Sequence, residues 1–314
     1  MAIRSCLLAI GLIVSLSSGA LAAADPPECR TVRIGDGGWT DNIAQNGLAM
    51  VVLKALGYEP VTTLLGYAVV LESLKNKQID VFLDNWSPSV DSMVEPYLKE
   101  KGFEKLNTNL TGAKYTLAVP AYVWEAGLRD FKDIAQHRDK LGGKIYGIES
   151  GSDANIIVQK MIDADAFGLK GFELVESSEQ AMLSQVAKAE KNKDWIVFVG
   201  WAPHPMNVKH DMRYLSGGDE QFGPDYGGAT VYTTVRSGLG SDCPNLYRFF
   251  QNLAFTIEME NELMTNILDQ GQDGETAARA WLKGHPEVLG AWLDGVVGLD
   301  GQAAEPAVRK SLGV

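Results

Sequence analysis

The sequence predicts an α/β protein of two lobes, each a mixed sheet flanked by helices. Its 314 residues exceed the usual size of one domain, so the length indicates two. Short apolar runs alternate with helical patterns along the chain. One phrase also occurs twice, as KNKQIDVFLDNWSP at 75–88 and as KNKDWIVFVGWAPHP at 191–205.

The repeated phrase predicts one tryptophan at the end of a buried strand in each lobe. Both copies run Lys-Asn-Lys, three residues, Val-Phe, then a Trp two before a Pro, and they differ by one residue between Val-Phe and Trp. Pro cannot donate to a strand ladder, so each strand ends there and leaves Trp86 or Trp201 at its carboxyl edge. Open α/β sheets bind ligands at that edge. If the lobes face each other, both rings face one cleft; the alternative is a chance similarity of two strands.

The first predicted strand, 30–34, leads through a GDGG turn into a helix at 42–56. The glycines make the turn flexible and allow close approach of backbone. Trp39 and Asp41 follow the turn directly, at the kind of junction where α/β proteins place ligand contacts. Both are therefore candidate contacts. The alternatives are a partly buried turn aromatic for Trp39 and a helix cap for Asp41.

The remaining elements continue the alternation. The other predicted helices are 69–74, 91–99, 130–137, 154–162, 180–188, 245–268 and shorter ones within 275–297. The other predicted strands are 80–85, 114–119, 144–148, 195–199 and 228–236.

Two crossings divide the predicted lobes. Strand 114–119 carries Tyr115 near its start and is broken by Pro120, so we expect the chain to cross there. The segment 213–217 carries it back. The predicted division is a signal peptide at 1–24, the first part of lobe I at 25–117, lobe II at 118–212, and the second part of lobe I at 213–314.

The N-terminus has the pattern of an export signal. Arg4 supplies a positive start, residues 6–16 are apolar, and the triplets ALA (20–22) and AAA (22–24) offer small-residue cleavage sites. The apolar run is too short to span a bilayer, and no later stretch is long enough. We therefore expect a soluble mature protein in the periplasm.

Removal of the signal leaves two cysteines, Cys29 and Cys243. An oxidising compartment predicts that they form a disulfide, which ties the mature N-terminus to the last third of the chain. Two free thiols are the alternative.

The formal net charge of −12 argues against nucleic acid as a partner, because phosphates would be repelled. An acidic surface is compatible with a small cationic ligand.

Four aromatic residues fall at strand ends or strand–helix junctions: Trp39, Trp86, Tyr115 and Trp201. Ring faces attract cations, at about 0.5–2 kcal/mol per ring and more when water is excluded. Several rings around one quaternary ammonium group would therefore bind it without an ion pair. A sugar could also stack on such rings, but sugar sites usually need more hydrogen-bonding side chains than this cluster offers.

With these residues in view, the sequence resembles the glycine betaine/choline family of substrate-binding proteins of bacterial ABC importers. The resemblance covers essentially the whole mature chain. It is carried by GWTD (38–41), NW (85–86), AKYTLA (113–118), YGIESGSDAN (146–155), VESSEQ (175–180), GWAPHPMN (200–207) and FGPDYGGATV (222–231).

The resemblance implies the type II periplasmic binding fold, in which two lobes close over the ligand. It implies that the four aromatic residues form a box around a trimethylammonium head, and that Asp41 and Asn155 hold the hydroxyl of choline. One departure is Ala202, where we expect a Glu.

Choline ranks above glycine betaine in this interpretation. A betaine carboxylate needs donors and would be repelled by Asp41, whereas the choline hydroxyl can donate to Asp41 and accept from Asn155. The secondary candidates are Ser152, Asp153 and His204; Ser152 and His204 could serve a carboxylate and keep betaine as the alternative.

An enzyme is the weaker hypothesis. The sequence has no G-x-S-x-G elbow and no His-Glu-x-x-His, and His204 between two prolines is more simply a structural residue. A choline-ester hydrolase would need a Ser–His pair in the cleft. We therefore expect no catalytic residues, no metal and no cofactor, and a monomer that delivers its ligand to an ABC permease.

Overall fold

The computed structural model describes residues 24–314, so the predicted signal peptide, apart from Ala24, lies outside the described residues. Within 24–314, every helix is too short or too polar to cross a bilayer. The strands are β1 (Thr31–Asp36), β2 (Glu59–Leu64), β3 (Val81–Ser87), β4 (Phe103–Pro120), β5 (Lys144–Tyr146), β6 (Glu173–Val175), β7 (Phe198–Ala202), β8 (Met212–Tyr214) and β9 (Gly228–Arg236).

Helices flank the sheet, and every element after β9 is a helix. They are α1 (Thr40–Ala55), α2 (Tyr67–Lys75), α3 (Asp91–Lys99), α4 (Ala121–Glu125), α5 (Phe131–Ile134), α6 (Asp153–Asp163), α7 (Glu179–Asn192), α8 (Met206–Lys209), α9 (Asp219–Phe222), α10 (Pro224–Gly227), α11 (Leu239–Asp242), α12 (Pro244–Asn252), α13 (Ile257–Gln270), α14 (Gly274–Gly284), α15 (Val288–Trp292) and α16 (Ala304–Leu312).

One long strand, β4, joins two half-sheets. Residues 103–114 of β4 pair with β9, whereas residues 114–120 pair with β7 and β8. The first half-sheet has the order β2-β1-β3-β9-β4, and the second has the order β6-β5-β7-β4-β8. The prediction of a mixed sheet in each lobe is therefore confirmed, with the addition that the two sheets share a strand.

The two half-sheets have the same plan. In each, three neighbouring strands are parallel, and each of the next two strands runs antiparallel to the strand before it. The repeated phrase supplies the central strand of each half, β3 and β7. In both copies the peptide bond before the final Pro of the shared pattern, Pro88 or Pro203, is cis.

The extra residue in the first copy forms a β-bulge. The ladder between β3 and β9 advances three residues along β3, from Phe82 to Asn85, but only two along β9, from Thr234 to Tyr232. A bulge of this kind bends a strand and redirects its side chains. The bulge lies just before Trp86, in the part of the strand where the two copies of the phrase differ in length.

Each tryptophan of the repeat is the second-last residue of its strand, so the predicted position at the carboxyl edge is confirmed, whereas the predicted strand ends at 85 and 199 are wrong. Trp86 pairs with Val231 of β9, and Trp201 pairs with Tyr115 of β4. The neighbouring antiparallel strands extend the ladders as far as Ser87 and Ala202, the last residues before each Pro.

The single long helix predicted at 245–268 is also wrong, because residues 253–256 separate α12 from α13. The backbone there is drawn to β4: Phe255 N–H donates to the Asn109 carbonyl at 2.7 Å. Thr256 then caps α13 by accepting from Met259 N–H at 3.1 Å.

The disulfide between Cys29 and Cys243 is confirmed, with 5.8 Å between the two Cα atoms. Asp25 reinforces this junction, because its buried carboxylate accepts from the N–H groups of Asn245 and Leu246, each at 2.8 Å. The start of β1 is thus fixed to the start of α12.

Candidate ligand-binding site

A small cavity opens between the two half-sheets. Its lining consists of Trp39, Asp41, Trp86, Tyr115, Ile148, Asp153 and Trp201. The four aromatic side chains are almost fully buried, at 4–5% exposure. All four predicted aromatic residues are therefore brought together, although they come from widely separated parts of the chain.

Sheet edges and helix starts position these side chains. Trp39 directly precedes α1, Trp86 lies near the end of β3, and Trp201 lies near the end of β7. Asp153 begins α6. Both half-sheets thus contribute residues from the carboxyl ends of their parallel strands, the edge at which α/β sheets bind ligands.

Tyr115 links the rings of the two halves. Its ring centroid lies 5.7 Å from that of Trp86 at an interplanar angle of 57°, and 5.1 Å from that of Phe222 at 84°. Phe222 thereby supports the tyrosine from behind without lining the cavity. Trp201 has a similar support in His204, at 4.6 Å and 74°.

Two carboxyl groups line the cavity. Burial raises the pKa of Asp41 well above its usual range, and the nearby acidic groups Asp84, Glu260 and Glu179 raise it further. Its Oδ1 has no hydrogen-bond partner among residues 24–314. Burial likewise raises the pKa of Asp153 to about 6, opposed by the Ala154 N–H and the Tyr115 phenol.

The Tyr115 phenol lies close to Asp153 and lowers the pKa of its carboxyl. Its hydroxyl has no partner of normal geometry within the described chain. The Asp153 carboxylate raises the pKa of this phenol in turn, after the larger effect of burial. A polar group that enters the cavity therefore meets carboxyl and phenol groups with free hydrogen-bonding capacity.

Asp84 lies at the N–H edges of two of the rings. Trp39 Nε1–H donates to its Oδ2, and Trp86 Nε1–H donates to its Oδ1 at 2.7 Å. Gln45 Nε2 lies 3.4 Å from Oδ1 and also donates to Glu260 at 3.0 Å. Asp84 is 1% exposed and does not line the cavity.

Glu179 connects the two sides of the cleft. The N–H and O–H groups of Thr40 both donate to its carboxylate at 2.8 Å. Met206 N–H donates to His204 Nδ1 at 2.8 Å, so the ring proton is on Nε2 and points to Glu179 Oε1, also at 2.8 Å. Thr40 stands between the cavity residues Trp39 and Asp41, and Glu179 therefore holds the start of α1 against the second half-sheet.

Comparison with known proteins assigns this architecture. The family described as the substrate-binding domain of ABC-type glycine betaine transport systems, OpuAC, matches residues 30–284. The chain belongs to this family. Its fold is the two-lobe type II fold of periplasmic binding proteins. Proteins of this OpuAC family bind a small molecule for an ABC permease and work outside the cytoplasm.

Three relatives illustrate the range of the OpuAC family. An ABC-transporter choline binding protein in complex with choline is 53% identical with a TM-score of 0.90, and the match covers 92% of this chain and 100% of that one. Lactococcal OpuAC in its closed form with glycine betaine is 28% identical with a TM-score of 0.73, over 84% and 99%. The glycine betaine/carnitine transport binding protein GbuC of Listeria monocytogenes is 34% identical over 170 residues, 54% of each chain.

Asn155, which the family resemblance implies as a contact of the choline hydroxyl, lies outside the cavity lining. Its Oδ1 accepts from Ile148 N–H at 3.0 Å, and its Nδ2 donates to the carbonyls of Ile148 and Glu149, each at 3.0 Å. The amide therefore shapes the loop between β5 and α6 and does not line the cavity. It holds Ile148, which does.

Two of the secondary candidates also lie outside the lining. Ser152 Oγ caps α6 by accepting from Asn155 N–H at 3.2 Å, and His204 has both ring nitrogens engaged. Asp153, the third secondary candidate, lines the cavity.

Sequence reasoning missed Asp84, Glu179 and Ile148. The motif DNW contained a signal for Asp84, because residues two apart on a strand share a face and a carboxylate two before Trp86 can meet its indole N–H. VESSEQ contained Glu179 directly after Ser178, the cap of α7. Ile148 gave no signal beyond its place at the end of a strand.

Proposed function

We propose that this protein captures choline in the cavity and delivers it to an ABC import permease. In this proposal the mature chain, 25–314, acts in the periplasm as a monomer, after removal of the signal peptide. The observation that carries the proposal is the cavity lining of three indoles, one phenol and two carboxyl groups, which includes no Lys, Arg or His.

The rings suit a quaternary ammonium group. Its methyl groups lose little on leaving water, and each ring contributes about 0.5–2 kcal/mol of cation–π attraction, more in a water-excluded site. In their ionised forms, which a bound cation favours, Asp41 and Asp153 add negative charge in an environment of low polarity, where charges interact more strongly than in water. A neutral or anionic ligand would gain none of this attraction.

The carboxyl groups favour a ligand whose tail is a hydroxyl. A choline hydroxyl can donate to the free Oδ1 of Asp41 and can also approach Asp153 and the Tyr115 phenol. The relative solved in complex with choline is consistent with this preference.

Glycine betaine is the second candidate, because two of the relatives are named for it. Its carboxylate would need N–H donors and would lie beside two acidic groups. His204 is not free to donate to a betaine carboxylate, since its Nε2–H donates to Glu179. The chemistry of the lining therefore ranks betaine below choline.

A calorimetric titration of residues 25–314 with choline, glycine betaine and acetylcholine in one buffer tests the proposal. We expect the tightest binding for choline and weaker binding for betaine by about 100-fold, the scale of an unpaired charge placed beside like charge. Betaine binding as tight as choline would overturn the choline assignment, and hydrolysis of acetylcholine would overturn the binding-only role.

A further inference from the structure

The indoles of Trp39 and Trp86 share one buried carboxylate. Trp39 donates to Asp84 Oδ2 and Trp86 donates to Oδ1, so each oxygen holds one ring. The two tryptophans come from different elements, the start of α1 and the strand β3. A single side chain thus fixes their relative positions.

The second half-sheet lacks this arrangement. Asp84 stands two residues before Trp86, and the residue two before Trp201 in β7 is Val199. Trp201 Nε1 accordingly has no hydrogen-bond partner among the described residues. The β-bulge in β3 lies at 83–84, where the first copy of the repeat carries its extra residue. The bulge and the carboxylate therefore distinguish the two otherwise matching strands.

A buried carboxylate in this place is costly unless something compensates for its charge. Its hydrogen-bond partners are two indoles and one amide, all neutral. Asp41, Asp153 and Glu260 are nearby and acidic. Proton uptake relieves this cost in the free protein, and a cation on the cavity side of the rings would relieve it in the complex.

We propose that Asp84 is a positioning residue that holds the Trp39 and Trp86 rings and strengthens their attraction for a cation. An N–H group that donates to an anion transfers electron density to its ring, and a ring face with more electron density attracts a cation more strongly. The charge of Asp84, at the N–H edges of the rings, also acts directly on a cation in the cavity. This inference rests on the proposed binding of a quaternary ammonium group.

The protonation of Asp84 is consistent with this role. Burial raises its pKa to about 7, while the two indole N–H groups oppose the increase by stabilising the ionised form. A cation in the cavity would favour ionisation further.

The test compares choline with 3,3-dimethylbutan-1-ol, a neutral alcohol of the same shape, in the parent protein and in Asp84→Asn. Asn carries no charge and has one oxygen, whereas Asp84 uses a separate oxygen for each indole. We expect D84N to weaken choline binding by about 10- to 50-fold, the scale of one charge acting over several ångströms at an effective dielectric constant near 20. We expect the neutral alcohol to change by less than about threefold, since it has no charge to attract.

Glu260→Gln is the matched control. Glu260 is a fully buried acid that contacts Gln45, but it contacts neither indole and does not line the cavity. The proposal requires a choline loss in E260Q that is clearly smaller than in D84N. Equal losses in the two variants, or equal losses of choline and the alcohol in D84N, would overturn it.

A second measurement needs only the parent protein and covers the case in which D84N does not fold. Indole N–H protons that donate to a buried carboxylate exchange slowly with solvent and resonate downfield in NMR spectra. Those of Trp39 and Trp86 should show both properties more strongly than that of Trp201. Equal behaviour of the three would overturn the proposal.

The two proposals fail in different ways. If the parent protein does not bind choline, the proposed function fails. If the parent binds choline but D84N does not discriminate between the cation and the neutral alcohol, only the role of Asp84 fails.

Discussion

Tyr115 and Trp201 lie directly opposite each other in the ladder between β4 and β7. Tyr115 also follows Ala113 and Lys114, which pair with β9 of the first half-sheet. The tyrosine therefore lies at the point where β4 passes from one half-sheet to the other. Its ring contacts are with Trp86 on one side and Phe222 on the other.

Removal of the Trp201 ring, which the second half-sheet contributes to the cavity, should weaken choline binding. We expect Trp201→Ala to weaken choline binding by about 30-fold or more, because a cation–π contact in a water-excluded site contributes about 2 kcal/mol. Calorimetry measures the loss. Trp124→Ala is the matched control: Trp124 packs under the Arg129 guanidinium away from the cavity, so choline binding should not change. Choline binding by W201A at the parent affinity would contradict the site assignment.

The contact of Glu179 with Thr40 should stabilise the closed form. Glu179→Gln leaves one acceptor for three donors, namely Thr40 N–H, Thr40 O–H and His204 Nε2–H. Hydrogen bonds to charged groups contribute about 1.5–3 kcal/mol each, so we expect choline affinity to fall about tenfold or more.

The loss in E179Q should come mainly from faster release, which stopped-flow fluorescence measures. Glu258→Gln, an exposed acid on α13, serves as the control and should not change the rate. An unchanged release rate in E179Q would show that this contact does not hold the cleft closed.

Choline affinity should increase with pH. The pKa of Asp153 is raised to about 6 and that of Asp84 to about 7, so both carboxyls ionise between pH 5 and 8, and a cation binds the ionised forms better. Asp41 and Glu260 face the same region, and burial raises the pKa of each in the same direction. Titrations at several pH values should show tighter choline binding as pH rises through this window.

The opposite trend applies to the stability of the free protein. A carboxyl whose folded-state pKa is raised contributes stability below its unfolded pKa, and that contribution is lost as pH rises through the folded value.

Asp153→Asn should reduce the pH dependence of choline affinity. A pH-independent affinity in the parent protein would contradict the electrostatic account.

The disulfide should contribute strongly to the free energy of unfolding and little to the choline affinity of the cavity. It closes a loop with a sequence separation of 214 residues. Loss of a cross-link over a long loop costs about 3–5 kcal/mol in the free energy of unfolding. Urea denaturation of the paired variant Cys29→Ser with Cys243→Ser measures this cost. Its folded state should still bind choline at the parent affinity, and an unchanged urea midpoint would contradict the prediction.

The sequence predicted the aromatic members of the cavity because each lies at a recognisable strand end or strand–helix junction. Trp86 and Trp201 came from the repeated phrase, and Trp39 came from the glycine-rich turn before α1. The repeat also has a structural basis, since both copies supply the central strand of a half-sheet. Chance similarity does not explain that shared position.

Contacts that depend on side-chain direction could not be predicted in this way. Asn155 lies in a motif typical of the family, yet its amide is turned toward the backbone of the preceding loop. The pairing of Asp84 with Trp39 joins residues 45 positions apart and requires the positions of α1 and β3 in space. The role of β4 was missed because its first half does not alternate cleanly. The lobe boundaries at 117, 118, 212 and 213 remain predictions.

The crystal structure of the mature protein with choline tests the central claim most directly. We predict that the trimethylammonium group lies within about 6 Å of the ring centroids of Trp39, Trp86, Tyr115 and Trp201. We also predict that the hydroxyl donates to Asp41 or Asp153. Choline bound elsewhere, or bound with its ammonium group away from the four rings, would contradict the account.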